Sequence, residues 1–154
     1  MGKPEAVLSP EQEARKAWMG LLAKSDAALL AERLGALDQP KFEWLRRPEV
    51  GGVMVRGRMG GTGAPFNLGE MTVTRCSLRL ATGEVGHGYV QGRDKRQAEQ
   101  AALVDALMQG PRADELRDAV LAPLEAAQAA TRTARAAKAA ATKVDFFTMV
   151  RGED

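Results

Sequence analysis

Apolar residues recur at helical spacing near both ends of this chain and at strand spacing through its middle. Ser9-Pro10-Glu11-Gln12 reads as a helix start. Ser9 can accept from the orphan amides, Pro10 suits the first helical position, and Gln12 completes a capping box. Ala14, Trp18, Leu21 and Leu22 then share one face. Ser25-Asp26 opens a second helix striped with Leu30, Leu34 and Leu37, and Asp38-Gln39-Pro40 closes it. Four strands are predicted next. Phe42 to Leu45 is short and ended by Arg47-Pro48; Val53 to Met59 follows; Met71 to Leu80 is the clearest; Val85 to Gln91 returns antiparallel across a turn at Ala81-Thr82-Gly83-Glu84. Residues 60–65 form a loop. After Gly92, Asp94 with Gln97 repeats the capping-box pattern, and Ala101, Val104, Leu107 and Met108 mark an apolar face that Gly110-Pro111 stops. A further helix carries Leu116, Val120 and Leu124, with a break or kink expected near Pro123.

The expected fold is therefore α+β: one domain spanning residues 1–154, with N-terminal helices, a four-stranded and mainly antiparallel sheet, then C-terminal helices. Residues 1–8 are expected to be disordered. Residues 125–143 form an alanine-rich helical arm with Arg132, Arg135 and Lys138 but no large apolar anchor. Residues 144–154 form a C-terminal interaction tail, because Phe146, Phe147, Met149 and Val150 crowd into five positions. Ordering such a tail requires a dry surface, on a partner or on the chain's own sheet.

Composition narrows the function classes. The 154 residues are 45% hydrophobic and 27% charged, as expected for a domain with a real core. A net charge of +2 with no reading motif argues against a dedicated nucleic-acid binder. No stretch approaches the ~20 apolar residues of a membrane span, so a cytoplasmic protein with no membrane association is expected. Cys76 and His87 are the lone representatives of their types, which leaves no metal-ligand spacing and no intrachain disulfide.

Candidate chemistry is confined to anion contacts. In Gly60-Gly61-Thr62-Gly63 the glycines allow backbone amides to approach an anion, and Arg58 adds charge. It is not a Walker loop, since no Lys-Ser/Thr pair follows; the plain alternative is a flexible loop between two strands. Arg93 and Lys95 flank Asp94 at a helix start, where dipole and cations together attract anions. The alternative there is that Asp94 caps the helix and the cations are solvated. Arg56 and Arg58 share strand parity, as do Arg75 and Arg79; if register aligns the two pairs, one sheet face is basic. His87 has no orienting carboxylate by sequence, and Cys76 reads as a buried small hydrophobe. No acid/base pair or nucleophilic triad is visible, so catalytic residues stay unassigned.

Three stretches carry a resemblance: Arg58-Met-Gly-Gly-Thr-Gly63, Val90-Gln-Gly-Arg-Asp-Lys95 and Val144-Asp-Phe-Phe-Thr-Met-Val-Arg-Gly152. Thr72-Val-Thr-Arg75 and Ala102-Leu-Val-Asp-Ala-Leu-Met108 fit the same pattern. Together they resemble the G-subunit family of bacterial carbon–phosphorus lyase core complexes, from about Trp18 to the C-terminus. The resemblance implies a cytosolic complex with H, I and J subunits and ATP-binding-cassette-type subunits. It implies a reaction in which a phosphonate displaces adenine from ATP to give a ribose 1-phosphonate 5-triphosphate. ATP is then a co-substrate of the complex, this chain binds no cofactor by itself, and an iron–sulfur cluster and S-adenosylmethionine belong to another subunit. The expected role is a non-autonomous subunit that builds a partner surface and contributes phosphate contacts. Two rivals stand beside it: a purely structural assembly subunit, and a free-standing anion-binding module.

Overall fold

The computed structural model describes residues 6–144. The tail candidates Phe146, Phe147, Met149 and Val150 lie outside the described residues. The first helix, α1 (Pro10–Ala23), starts as its sequence dictates. The Ser9 hydroxyl accepts from the Gln12 amide and the Gln12 side chain accepts from the Ser9 amide. Asp26 caps α2 (Ala27–Gly35) through the Leu29 amide.

The sheet has three strands, not four. Phe42–Leu45 and Val53–Met59 are two parts of one strand, β1 (Phe42–Arg58), which runs straight past Arg47-Pro48. Pro48 was expected to end a strand because it lacks an amide donor. Here it sits on a strand at the sheet's edge, where register slips between Trp44 and Arg46 and again between Arg46 and Glu49 absorb it. β2 (Pro65–Leu80) begins six residues earlier than Met71, and β3 (Val85–Gln91) closes the antiparallel order β1-β2-β3.

One helix, α3 (Lys95–Leu107), is central. It is buried from Gln97 to Leu107 except at Glu99, with the sheet on one side and the remaining helices on the other. Its contact with the sheet is unusually close because two glycines meet three alanines. Gly86 and Gly88 point their missing side chains at α3; a Cβ there would lie 1.9 Å from the Ala102 carbonyl oxygen and 2.0 Å from that of Ala98. Ala98, Ala102 and Ala106 recur every four residues, the spacing that keeps one helix face flat against a strand of period two. Asp94 caps α3 through the Gln97 amide, but the capping box is only half formed: the Gln97 side chain donates to the Ser25 carbonyl instead of reaching back. It thereby ties α3 to the turn between α1 and α2.

Beyond α4 (Ala113–Leu116) the helix widens by one turn at Arg117–Leu121 and continues as α5 (Ala122–Ala141). The widened turn immediately precedes Pro123, whose ring cannot donate to the carbonyl four residues back. The predicted disturbance is thus a wide turn rather than a break. Leu116, Val120, Leu121 and Leu124 bury against the core, while α5 is exposed from Ala129 onward.

Candidate functional site

The structure places the two candidate anion sites at opposite ends of a projecting β-ribbon. β3 pairs with β2 only from Val73 to Arg79, so Gly52–Arg58 and Pro65–Thr72 continue as a two-stranded hairpin. Residues 58–63 are its tip; Arg93 and Lys95 lie near its base, where the Gly92 amide donates to the Thr72 carbonyl. Seven residues of strand, about 23 Å at ~3.3 Å per residue, separate them. No single phosphate touches both within one chain.

At the tip, Gly60 and Gly61 take the left-handed φ values of 60° and 83° that only glycine adopts readily. The loop then spends its donors on itself. The Thr62 and Gly63 amides both donate to the Met59 carbonyl, and the Arg58 guanidinium donates to the Gly63 carbonyl. At the base, Arg93, Asp94, Lys95 and Arg96 are all exposed, and the Asp94 carboxylate occupies the helix end. Arg93 and Lys95 remain positioned beside it, flanking a helix of 13 residues.

The common basic face does not form. Strand alternation puts Arg75 and Arg79 on the face away from α3, and Arg56 and Arg58 on the other. Glu43 pairs with Arg79, and Glu49, opposite Arg75, pairs with Arg46. The face away from α3 is a mixed-charge surface.

His87 sits on that same outer face and shares a 2.8 Å hydrogen bond between Nδ1 and the Ser77 hydroxyl. Cys76 is buried, its thiol donating to the Ala98 carbonyl at 3.2 Å, and burial pushes its pKa up to about 11.

The most connected polar group is one that the sequence left without a role. Asp105 on α3 is fully buried and accepts four hydrogen bonds: two from the Arg15 guanidinium at 3.1 and 2.8 Å, one from the Trp18 indole at 2.8 Å, and one from the His87 amide at 2.9 Å. Arg15 and Gln109 both donate to the Val85 carbonyl as well. These side chains close the outer edge of β3 at Val85 and His87. Nothing local signals this, because the partners lie 18 to 90 residues away in sequence.

Between α1 and α5 runs an open groove of about 1000 Å³, floored by Trp18, Leu21 and Leu124 and rimmed by Lys24, Arg132 and Arg135. Among the described residues no three His, Cys, Asp or Glu side chains cluster as a metal site, and no helix is long and apolar enough to cross a membrane.

The chain is 48% identical over 145 residues to a protein of Rhizobium meliloti (strain 1021) described as alpha-D-ribose 1-methylphosphonate 5-triphosphate synthase subunit PhnG; the match covers 91% of this chain and 90% of that one. Residues 13–152 match the family described as phosphonate metabolism protein PhnG. By the extent of both matches, this chain belongs to the PhnG family of phosphonate metabolism.

Proposed function

We propose that this chain is a non-autonomous subunit of an alpha-D-ribose 1-methylphosphonate 5-triphosphate synthase. It works in the cytoplasm with the H, I and J subunits of carbon–phosphorus lyase and with ATP-binding-cassette-type subunits. The complex transfers ribose triphosphate from ATP to an alkylphosphonate and releases adenine. The observation that carries this reading is the 48% identity, along nearly the full length of both chains, to a protein named as a subunit of that synthase.

The transfer needs the triphosphate held, an oxocarbenium-like sugar stabilised and the leaving adenine assisted. This chain offers candidates only for the first. Arg93 and Lys95 are the better placed, being exposed cations beside a long helix's N-terminus; Arg58 with Gly60, Gly61, Thr62 and Gly63 is the weaker set, since two of its amides already serve Met59. ATP and the phosphonate are substrates of the whole complex. The iron–sulfur cluster and S-adenosylmethionine belong to another subunit. An iron–sulfur cluster is held by several thiolates, and the one cysteine here is buried against a backbone carbonyl, which does not fit such a group.

A purely structural role is the second reading, and the Asp94 carboxylate favours it by filling the helix end that an anion would use. The test is reconstitution from purified subunits with ATP and methylphosphonate, reading both adenine release and the ribose 1-methylphosphonate 5-triphosphate formed. We expect no adenine release by this chain alone, none of the phosphonate product from the partners without it, and that product when all are combined. Adenine release by this chain alone, or formation of the phosphonate product at the full rate in its absence, would defeat the proposal.

A further inference from the structure

The two-stranded ribbon formed by residues 52–72 has no support of its own. No residue from 51 to 70 is buried. An isolated hairpin is marginal in water and needs a third strand or a covering helix to persist. Yet this one carries four of the nine large apolar side chains exposed among the described residues: Met54, Met59, Phe66 and Leu68, at 58%, 68%, 41% and 62% exposure. The ribbon is also two-faced. Register puts Val53 and Val55 on one face with Met71 and Phe66, and Leu68 lies over Gly57 on that same face, where a glycine Cβ would meet it at 2.6 Å. The opposite face holds Met54, Arg56, Arg58, Asn67 and Glu70. Neither Arg56 nor Arg58 has a carboxylate partner among the described residues.

We infer that this ribbon is an insertion arm, gripped by a cleft in a different subunit of the same assembly; this rests on the synthase-subunit reading above. The cleft is apolar where it meets Phe66 and Leu68 and carries carboxylates where it meets Arg56 and Arg58. Two features argue for a cleft in another protein over a second copy of this chain. Pairing two ribbons through their apolar faces would join five side chains per copy, against about 20–30 residues per side in a stable interface. It would also leave Met54 and Met59 in water, because they lie on the other face and at the tip. Only an occupant that encloses both faces covers all four exposed side chains and neutralises the two arginines. Enclosed in this way, the arm delivers residues 58–63 about 23 Å from the body of the domain, at ~3.3 Å per residue.

The experiment compares the wild-type chain with Phe66→Ser/Leu68→Ser and, separately, Arg56→Glu/Arg58→Glu, each co-expressed with the remaining synthase subunits. The first pair is expected to weaken capture by roughly 100-fold or more, since two large apolar side chains lose their burial. The second is expected to weaken capture with a reversed salt dependence. Both free chains should keep the wild-type melting temperature, because the arm contributes nothing to the core. Hydrogen exchange on the wild-type chain gives an answer that does not depend on any variant folding. Amides in 53–71 should exchange freely in the isolated chain and become protected in the complex. Undiminished capture of both variants, or no protection on assembly, overturns the arm. So does an isolated chain that sediments as a dimer and becomes monomeric with Phe66→Ser/Leu68→Ser. If the wild-type complex assembles and releases adenine while the arm variants assemble equally well, the arm alone fails; if the wild type itself is not captured, the subunit reading fails with it.

Discussion

Asp105 shows what one residue can hold together. Its carboxylate is fully buried and joins α1, α3 and β3 through four donors. Removing it leaves the Trp18 indole and the His87 amide without an acceptor, a loss of about 1–3 kcal/mol for each group left unsatisfied, while the part-exposed Arg15 guanidinium can turn to water. Asp105→Ala is therefore expected to lower stability by that order in urea unfolding, and Asp105→Asn, which keeps an acceptor for the indole, to lose less. A variant as stable as the wild type would remove the carboxylate from its assigned role. Cys76 makes a second prediction, in pH. Its thiol is pushed up to about 11 by burial, above the ordinary value of 9.0, so the folded chain holds that proton more tightly than the unfolded chain. The stability this gives is fully present below pH ~9 and lost as pH rises toward ~11. The thiol should resist alkylation at pH 8 in the native chain and react in denaturant; a Cys76→Ala variant should lose this part of the alkaline instability. Gly86 and Gly88 were legible as strand residues but not as a packing surface. They fall within the predicted strand Val85 to Gln91, but nothing in that strand's own pattern showed that their alternation matches the four-residue recurrence of Ala98, Ala102 and Ala106. Asp105 was not legible, since a buried acid and a solvated one look alike until their distant partners are known.

At the level of elements, helix starts were readable because capping is local: Ser9, Asp26 and Asp94 each satisfy an amide within three residues. The strand count was not. Pro48 terminates a strand only where its missing donor is needed, and an edge strand has no such need on its outer side. The same alternation that predicted Val53–Met59 and Met71–Leu80 gave no sign that part of the ribbon between them lacks a covering layer, because periodicity reports faces and not neighbours. The start of α3 carries the element-level prediction. Replacing both Arg93 and Lys95 by Ala leaves the Asp94 cap intact, so the fold should melt unchanged. If these cations hold phosphate, each lost charge-assisted contact costs about 1.5–3 kcal/mol in the use of ATP by the complex. Unchanged kinetics in the assembled double variant would leave the helix start with its cap alone.

For the whole molecule, family membership rests on matches spanning residues 13–152, a stretch that takes in the tail candidates Phe146, Phe147, Met149 and Val150. Deleting residues 144–154 separates two roles for them. Loss of capture by partner subunits with an unchanged melting temperature assigns the tail to assembly. A large drop in the free chain's own stability assigns it to an internal surface, such as the chain's own sheet or the groove beside Trp18, Leu21 and Leu124. The sheet itself has a further property. Its β3 edge is closed at Val85 and His87 by Arg15, Gln109 and Asp105, while β1 lies at the other margin. Endless stacking of strands requires every molecule to offer two complementary margins, one to receive and one to donate. A margin closed at Val85 and His87 leaves less of β3 to receive a further strand than β1 offers, so strand-to-strand association between copies favours β1 meeting β1, a pairing that ends at two.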